Sequence, residues 1–176
     1  METKSNQSTK ANDLLKLVLA DTFILYMKTY AVHWNYKGAK FFSVHKLTEE
    51  HYQELAEAID EIAERIRALG DEAPITLQNI IGSADLSEMK NNHASDDTAL
   101  RELISSHDLL SKRASEAANL LDETGDLYSS DIMIKRIGAH DKAAWMLRSF
   151  LTGQIPGESK MNQVINPEAQ NKEARQ

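Results

Sequence analysis

The chain has 176 residues, enough for one domain of ordinary size with a short tail at either end. With 41% hydrophobic and 27% charged residues but only seven Gly and three Pro, its composition favours helix over sheet. The absence of cysteine excludes disulfides and thiolate metal sites, and a net charge of −7 argues against a generally basic surface that coats nucleic acid while suiting one that attracts cations. No apolar run approaches the roughly 18 residues that span a bilayer, and the polar start METKSNQSTK lacks the apolar core of a secretory signal, so a cytoplasmic protein without a membrane partner is expected.

Residues 1–11 are polar and are expected to form a flexible tail. A long amphipathic helix is predicted from a cap at Asn12 or Asp13 to about Tyr36, with Leu14, Leu15, Val18, Leu25, Ala31 and Val32 on its apolar face. Gly38 ends it. A second helix covers about 41–69, capped by Ser43 or a neighbour and stopped by Gly70. Residues 71–95 form a long connection in which TLQNII or LSEMKN could each make a short helical turn. A third helix, about 96–123, carries Leu100, Leu103, Ile104, Leu110, Ala117 and Leu121. A brief turn, ETGDLYSS, leads to a fourth helix over about 129–152, with Ile132, Ile134, Ile137, Trp145, Met146 and Phe150 as its apolar positions. Residues 153–176 turn polar again and are expected to be a flexible tail. The body, 12–152, is therefore an all-α four-helix bundle. Its one long crossover sets it apart from up-down bundles joined by short loops.

The stretch from His33 to Gly70 carries the candidate chemistry. With His45 at zero on a helical wheel, Glu49 falls near 40°, Asp60 near 60° and Glu64 near 100°, at about 100° per residue. Val44, Leu55, Ile59, Ile62, Ile66 and Leu69 lie on the adjoining side, so the possible ligands edge the buried stripe. Along the axis, His45 and Asp60 are roughly 22 Å apart at about 1.5 Å per residue. One metal ion with bonds of about 2 Å cannot be held by both. If two copies of the helix pack antiparallel about a two-fold axis, His45 and Glu49 of one approach Asp60 and Glu64 of the other, and two identical sites result.

Other chemistries find little support. The chain has neither a G-x-S-x-G elbow nor an H-E-x-x-H zinc motif, and no E-x-x-H either. His51, His93, His107 and His140 have no neighbouring carboxylate pattern on the same helix face and read as structural or exposed. Asp96 and Asp97 suit a helix start, and Glu50, Glu54, Glu57 and Glu61 a solvated face. For His33, His45, Glu49, Asp60 and Glu64, imidazole and oxygen ligands without thiolate suit iron, manganese or zinc.

The pattern His33-Trp34-Asn35, Gly38, Phe42 and His45, followed by Asp60-Glu61-x-x-Glu64-Arg65 and by Asp141-Lys142-x-x-Trp145-Met146, resembles the Dps family. These are mini-ferritins named as DNA-binding proteins of starved cells, and the resemblance covers about residues 12–152. It implies a ferritin-like four-helix bundle with a short helix in the crossover between helices 2 and 3. The bundle would assemble as a dodecamer with ferroxidase centres at two-fold interfaces. By position, His33, His45 and Glu49 would bind iron from one subunit and Asp60 and Glu64 from its mate, with two irons per centre; zinc or manganese are substitutes. Glu49 departs from the Asp of many members, which puts affinity and spacing at the second iron in question. Trp34 corresponds to a tryptophan that intercepts radicals, with simple packing as the alternative. Asp126 and Asp131, and more weakly Asp122, fall where acidic residues line iron-entry pores, although Asp126 and Asp131 equally suit turn and cap positions.

The implied activity is oxidation of Fe²⁺, with hydrogen peroxide in preference to dioxygen, followed by storage of ferric mineral and protection against oxidative damage. The alternative is a non-catalytic shell that binds DNA or acts as an interaction particle. Lys4 and Lys10 are too few for strong DNA binding at physiological salt, so the expected location is cytoplasmic, with nucleoid association as the variant.

Overall fold

The computed structural model describes residues 4–89 and 94–151, with side chains from residue 9 onward. Five helices occupy the described residues: α1 (Lys4–Asn35), α2 (Phe41–Ala68), α3 (Leu77–Ser83), α4 (Asp97–Thr124) and α5 (Leu127–Arg148). α1 and α2 form one hairpin, α4 and α5 a second, and the crossover containing α3 joins them. α1 packs on α2 and α4, α5 packs on α4 and α2, and α3 lies on α1. The all-α bundle with a helix-bearing crossover is as the sequence led us to expect.

Three boundaries differ, one of them in α5, which runs Leu127–Arg148 rather than about 129–152. α1 begins at Lys4 rather than at a cap near residue 12, so residues 4–11 are helix and not tail. No Gly or Pro interrupts them, and Ala11 already reaches the core at 3% exposure beside Leu15 and Val18. Residues 1–3 and the expected tail at 153–176 lie outside the described residues. Ser43 does not cap α2, whose N-cap is Lys40 with no side-chain hydrogen bond; a turn at Gly38 precedes it, with Phe41 N–H donating to the Gly38 carbonyl at 3.0 Å. The stop at Gly70 holds. Its φ is +86°, its N–H bonds the Arg67 carbonyl and Asp71 N–H the Ile66 carbonyl, a left-handed C-terminal turn that a side chain at 70 would strain. In the crossover TLQNII forms α3, with Thr76 accepting from Asn79 N–H at 3.1 Å, whereas Leu86–Met89 is not helical and Lys90 and Asn91 lie outside the described residues.

The core falls into two clusters. Leu15, Val18, Ile62, Ile66, Leu121, Ile132 and Met133 form one. Leu25, Val32, Val44, Leu55, Leu100, Leu103, Leu110 and Leu147 belong to the other. The apolar stripes expected on α1, α2 and α4 face these clusters. On α5 the phase is different: Ile134 and Trp145 are 56% and 67% exposed, and the buried face is Ser129, Ile132, Met133, Arg136, His140, Ala143, Ala144 and Leu147. Polar and small residues occupy that face, so hydrophobicity alone points the helix the wrong way.

A buried carboxylate ties the crossover down. Asp21, fully buried on α1, accepts from Asp85 N–H at 3.0 Å and Leu86 N–H at 2.7 Å, and it meets the guanidinium of Arg113 on α4. Removing one partner of a buried ion pair leaves a charge without compensation. Asp21→Ala should therefore lower stability by about 3 kcal/mol, read as the urea midpoint, and should speed amide exchange at Asp85 and Leu86; Asp21→Asn, which keeps an acceptor, should retain more of that protection.

Candidate metal centre

The end of α1 and the start of α2 bring two of the predicted ligands together. The rings of His33 and His45 stack at 3.8 Å between centroids and 17° between planes. Each Nδ1 faces the other residue's backbone: His33 Nδ1 lies 3.0 Å from the His45 carbonyl, and His45 Nδ1 lies 2.9 Å from the His33 carbonyl. A carbonyl only accepts, so each Nδ1 carries a proton, and Nε2 is the ring nitrogen left to ligate. Thr48 Oγ1, 3.3 Å from His33 Nδ1 and donating to the Val44 carbonyl at 2.7 Å, braces the arrangement. Holding one ring nitrogen in a hydrogen bond so that the other is free to ligate is the usual support of a metal-binding histidine.

Glu49 stands one turn beyond His45 on α2 and is half-buried. Lys46 Nζ, 2.7 Å from its Oε2, holds its carboxyl below the usual carboxylate range, so Glu49 is an anion at neutral pH. Asp60 and Glu64 are exposed further along the same helix, about 22 and 28 Å from His45. The five residues thus form two separate groups, and among the described residues no three His, Asp or Glu side chains stand together as a metal cage.

An aromatic wall adjoins His33. Tyr30 stacks on Tyr52 at 4.1 Å and meets Trp34 at 4.8 Å and Tyr26 at 4.9 Å. The hydrogen bond with Tyr30, with burial second, pushes Tyr26 up to about 12, so Tyr26 stays uncharged. Trp34 itself is 63% exposed. Of the candidate pore residues, Asp126 is committed within the chain. It caps α5 by accepting from Ser129 N–H at 3.2 Å and pairs with Arg65 at 2.7 Å. Burial raises its carboxyl, but hydrogen bonds from Ser129 and Arg65 outweigh that and hold it below the usual range. Asp122 and Asp131 are exposed, Asp131 lying 3.4 Å from Lys135.

A second group was not visible from the sequence. His51 (α2), His107 (α4) and His140 (α5) meet in the bundle interior, with His107 Nδ1 and His140 Nδ1 only 3.1 Å apart and the His51 and His107 rings at 5.7 Å. Beside them Arg136 pairs with Glu54 through both guanidinium nitrogens. Each of the three histidines falls on the buried stripe of its helix, in register with Leu55, Leu103 and Ala144, and that position was the available signal. His93 lies outside the described residues.

The comparisons agree with this architecture. The ferritin-like domain family matches residues 12–154. The chain is 36% identical over 143 residues to a low temperature-induced protein of Nostoc sp., covering 81% of this chain and 80% of that one. It is 32% identical over 142 residues to the DNA protection during starvation protein of Helicobacter pylori, covering 81% and 99%. Among solved structures, the Dps protein of Vibrio cholerae superposes with a TM-score of 0.78 at 31% identity, covering 84% and 92%. The class these findings define is the ferritin-like bundle. Within it, the chain belongs to the Dps family.

Burial holds the histidine trio neutral: it lowers His51 to about 4 and His107 to about 3, and His140 well below the ordinary value. The unfolded chain protonates these rings near pH 6.5 and the folded chain does not, so the unfolded state binds more protons below that pH. Stability should thus fall as pH drops from about 6.5 toward 4, by roughly 1.4 kcal/mol per pH unit for each of His51 and His107. Urea midpoints measured across that window check this, and His107→Leu should give a shallower slope.

Proposed function

We propose that this protein is a ferroxidase and iron store whose catalytic centres form only between chains. His33, His45 and Glu49 of one subunit and Asp60 and Glu64 of a two-fold mate would hold a pair of Fe²⁺ ions, with hydrogen peroxide as the oxidant. The observation that carries the reading is the reciprocal lock between His33 and His45, which leaves two Nε2 atoms to ligate while the matching carboxylates lie about 22 Å or more from His45 on the same helix. An antiparallel two-fold pairing of α2 supplies each half with the other. Membership of a family that includes a protein described as one of the ferritin-like diiron-carboxylate proteins supports iron as the metal.

The chemistry is balanced. Two Fe²⁺ each give one electron, the O–O bond of one peroxide breaks, and two Fe³⁺ and two hydroxides result. Hard carboxylate oxygens favour the ferric product, while the neutral imidazoles fix the positions of the ions. Glu49, held anionic by Lys46, would take the place of the shorter Asp common in the family and reach about one bond further toward the second iron. Ferric product would be stored inside a closed shell, expected as a dodecamer, with consumption of both Fe²⁺ and peroxide suppressing radical damage. Zinc or manganese could occupy the same ligands. Trp34, exposed on the chain and against Tyr30, suits a radical-intercepting role at the centre's edge. Asp122 and Asp131 are available to line an entry pore; Asp126 would contribute through its structural tie to Arg65.

DNA binding is a minor part of this reading. Affinity for a duplex grows with the number of phosphates neutralised, and a chain of net charge −7 offers few cations against a repulsive body. The described helices include none long and apolar enough to cross a membrane.

Anaerobic Fe²⁺ titration of the assembled protein, followed by a pulse of peroxide, tests the proposal. The parent should develop ferric absorbance rapidly, and Asp60→Ala combined with Glu64→Ala should slow the initial rate by at least about tenfold. Equal rates would place oxidation elsewhere and leave a shell that acts by what it binds.

A further inference from the structure

We infer that Tyr30 and Tyr52 are an electron-donor pair for the centre at His33: where a centre holds a single Fe²⁺, they supply the second electron that reduction of peroxide requires. The role rests on the ferroxidase reading above and adds two residues that are not among its ligands.

The contact path is continuous. Tyr52 meets the His33 ring edge-on at 5.2 Å, and Tyr30 meets it edge-on at 6.4 Å. The two phenols stack on each other at 4.1 Å with 17° between their planes. From Tyr30 the path divides, to Trp34 at 4.8 Å and to Tyr26 at 4.9 Å. Beyond Tyr26 it ends at Phe23, whose phenyl ring is not readily oxidised. Each oxidisable ring thus touches the next, which is the condition for rapid electron transfer between side chains. Tyr26, Tyr30 and Tyr52 are half-buried and Trp34 is exposed, so the stack runs from an expected metal ligand to the surface of the chain. Ring contacts contribute packing energy whatever the substituent, and phenylalanine would serve that purpose as well. Among the described residues, however, the rings that meet His33 apart from His45 are both phenols. Phenols and indoles are among the side chains most readily oxidised by one electron.

The electron count calls for such a donor. Peroxide takes two electrons, and each Fe²⁺ gives one. Lys46 Nζ lies 2.7 Å from Glu49 Oε2 and competes with the second ion for that carboxylate, so centres holding one Fe²⁺ arise during loading. There, iron alone would break the O–O bond to hydroxide and a hydroxyl radical. With the pair, the sum is Fe²⁺ + H₂O₂ + Tyr–OH → Fe³⁺ + OH⁻ + H₂O + Tyr–O•. Iron and one phenol are each oxidised by one electron, the O–O bond breaks, and the phenol proton leaves in the water. A later Fe²⁺ returns the electron, and uptake of one proton restores the phenol with a second Fe³⁺ as product. The stack shares the radical among Tyr30, Tyr52 and Tyr26, and Trp34 is the ring at which it meets solvent.

Freeze-quench electron paramagnetic resonance tests the pair on the assembled protein, loaded anaerobically with one Fe²⁺ per chain and given one equivalent of peroxide. A phenoxyl radical signal should appear. It should narrow in protein made with ring-deuterated tyrosine, a change that alters no contact. A second Fe²⁺ per chain should diminish it, since iron then supplies both electrons. Tyr30→Phe combined with Tyr52→Phe should abolish the signal, whereas Tyr36→Phe combined with Tyr128→Phe, outside the stack, should retain it. Ferric absorbance without a phenoxyl signal, a signal that deuteration leaves unchanged, or one that survives Tyr30→Phe with Tyr52→Phe overturns the donor pair and leaves the centre standing. Absence of ferric absorbance in the parent overturns the ferroxidase reading, and the pair with it.

Discussion

The arrangement depends on two hydrogen bonds that cross between α1 and α2. His33 and His45 each give the Nδ1 proton to the other's main chain, at 3.0 and 2.9 Å, and their rings stack as a result. The lock joins the last turn of one helix to the first turns of the next, so it also fixes how the hairpin closes. It leaves both Nε2 atoms to ligate on one edge of α2. Among the described residues nothing in the same chain completes a metal cage there, because Asp60, the nearer of the two matching carboxylates, is about 22 Å from His45. A half-site of this kind explains why function in this fold would belong to an assembly and not to a subunit.

The bundle's interior holds several buried polar groups that link different helices. Asp21 gathers two crossover amides and the guanidinium of Arg113, which fixes the one long connection that distinguishes this bundle from an up-down arrangement. Along α5, Arg136 and His140 separate Met133 in one core cluster from Leu147 in the other. Arg136 pairs with Glu54 across to α2 and His140 meets His107 on α4, so the layer links three helices. Such groups stabilise less than an apolar core would, and they specify which faces meet.

Local features of the sequence read well. The turn at Gly70, the cap at Asp96, the α3 turn opened by Thr76, and the periodicity of α2 and α4 all depend on residues within a few positions of one another. The spacing of His33, His45, Asp60 and Glu64 also conveyed the need for a partner, because helix geometry converts residue number into distance. What could not be read depends on distant packing. The phase of α5 is set by Arg136 and His140 meeting partners on α2 and α4, against the pull of Ile134 and Trp145. Asp126 looked like a turn residue or a pore ligand, and its tie to Arg65, 61 positions away, is visible only in the folded chain. The histidine trio is not legible in the sequence because its members are neighbours only once three helices are assembled.

The claim that each centre is shared between chains is tested most directly by complementation. Subunits carrying His33→Ala and His45→Ala are co-assembled with subunits carrying Asp60→Ala and Glu64→Ala, and peroxide-driven Fe²⁺ oxidation is compared with either variant alone. In a mixed two-fold pair one site is left with Glu49 alone while the other keeps all of its ligands, so random mixing restores about a quarter of the parental sites. Recovery of about that fraction of the parental rate is the predicted result. A mixed shell no more active than its two components would contradict the shared centre.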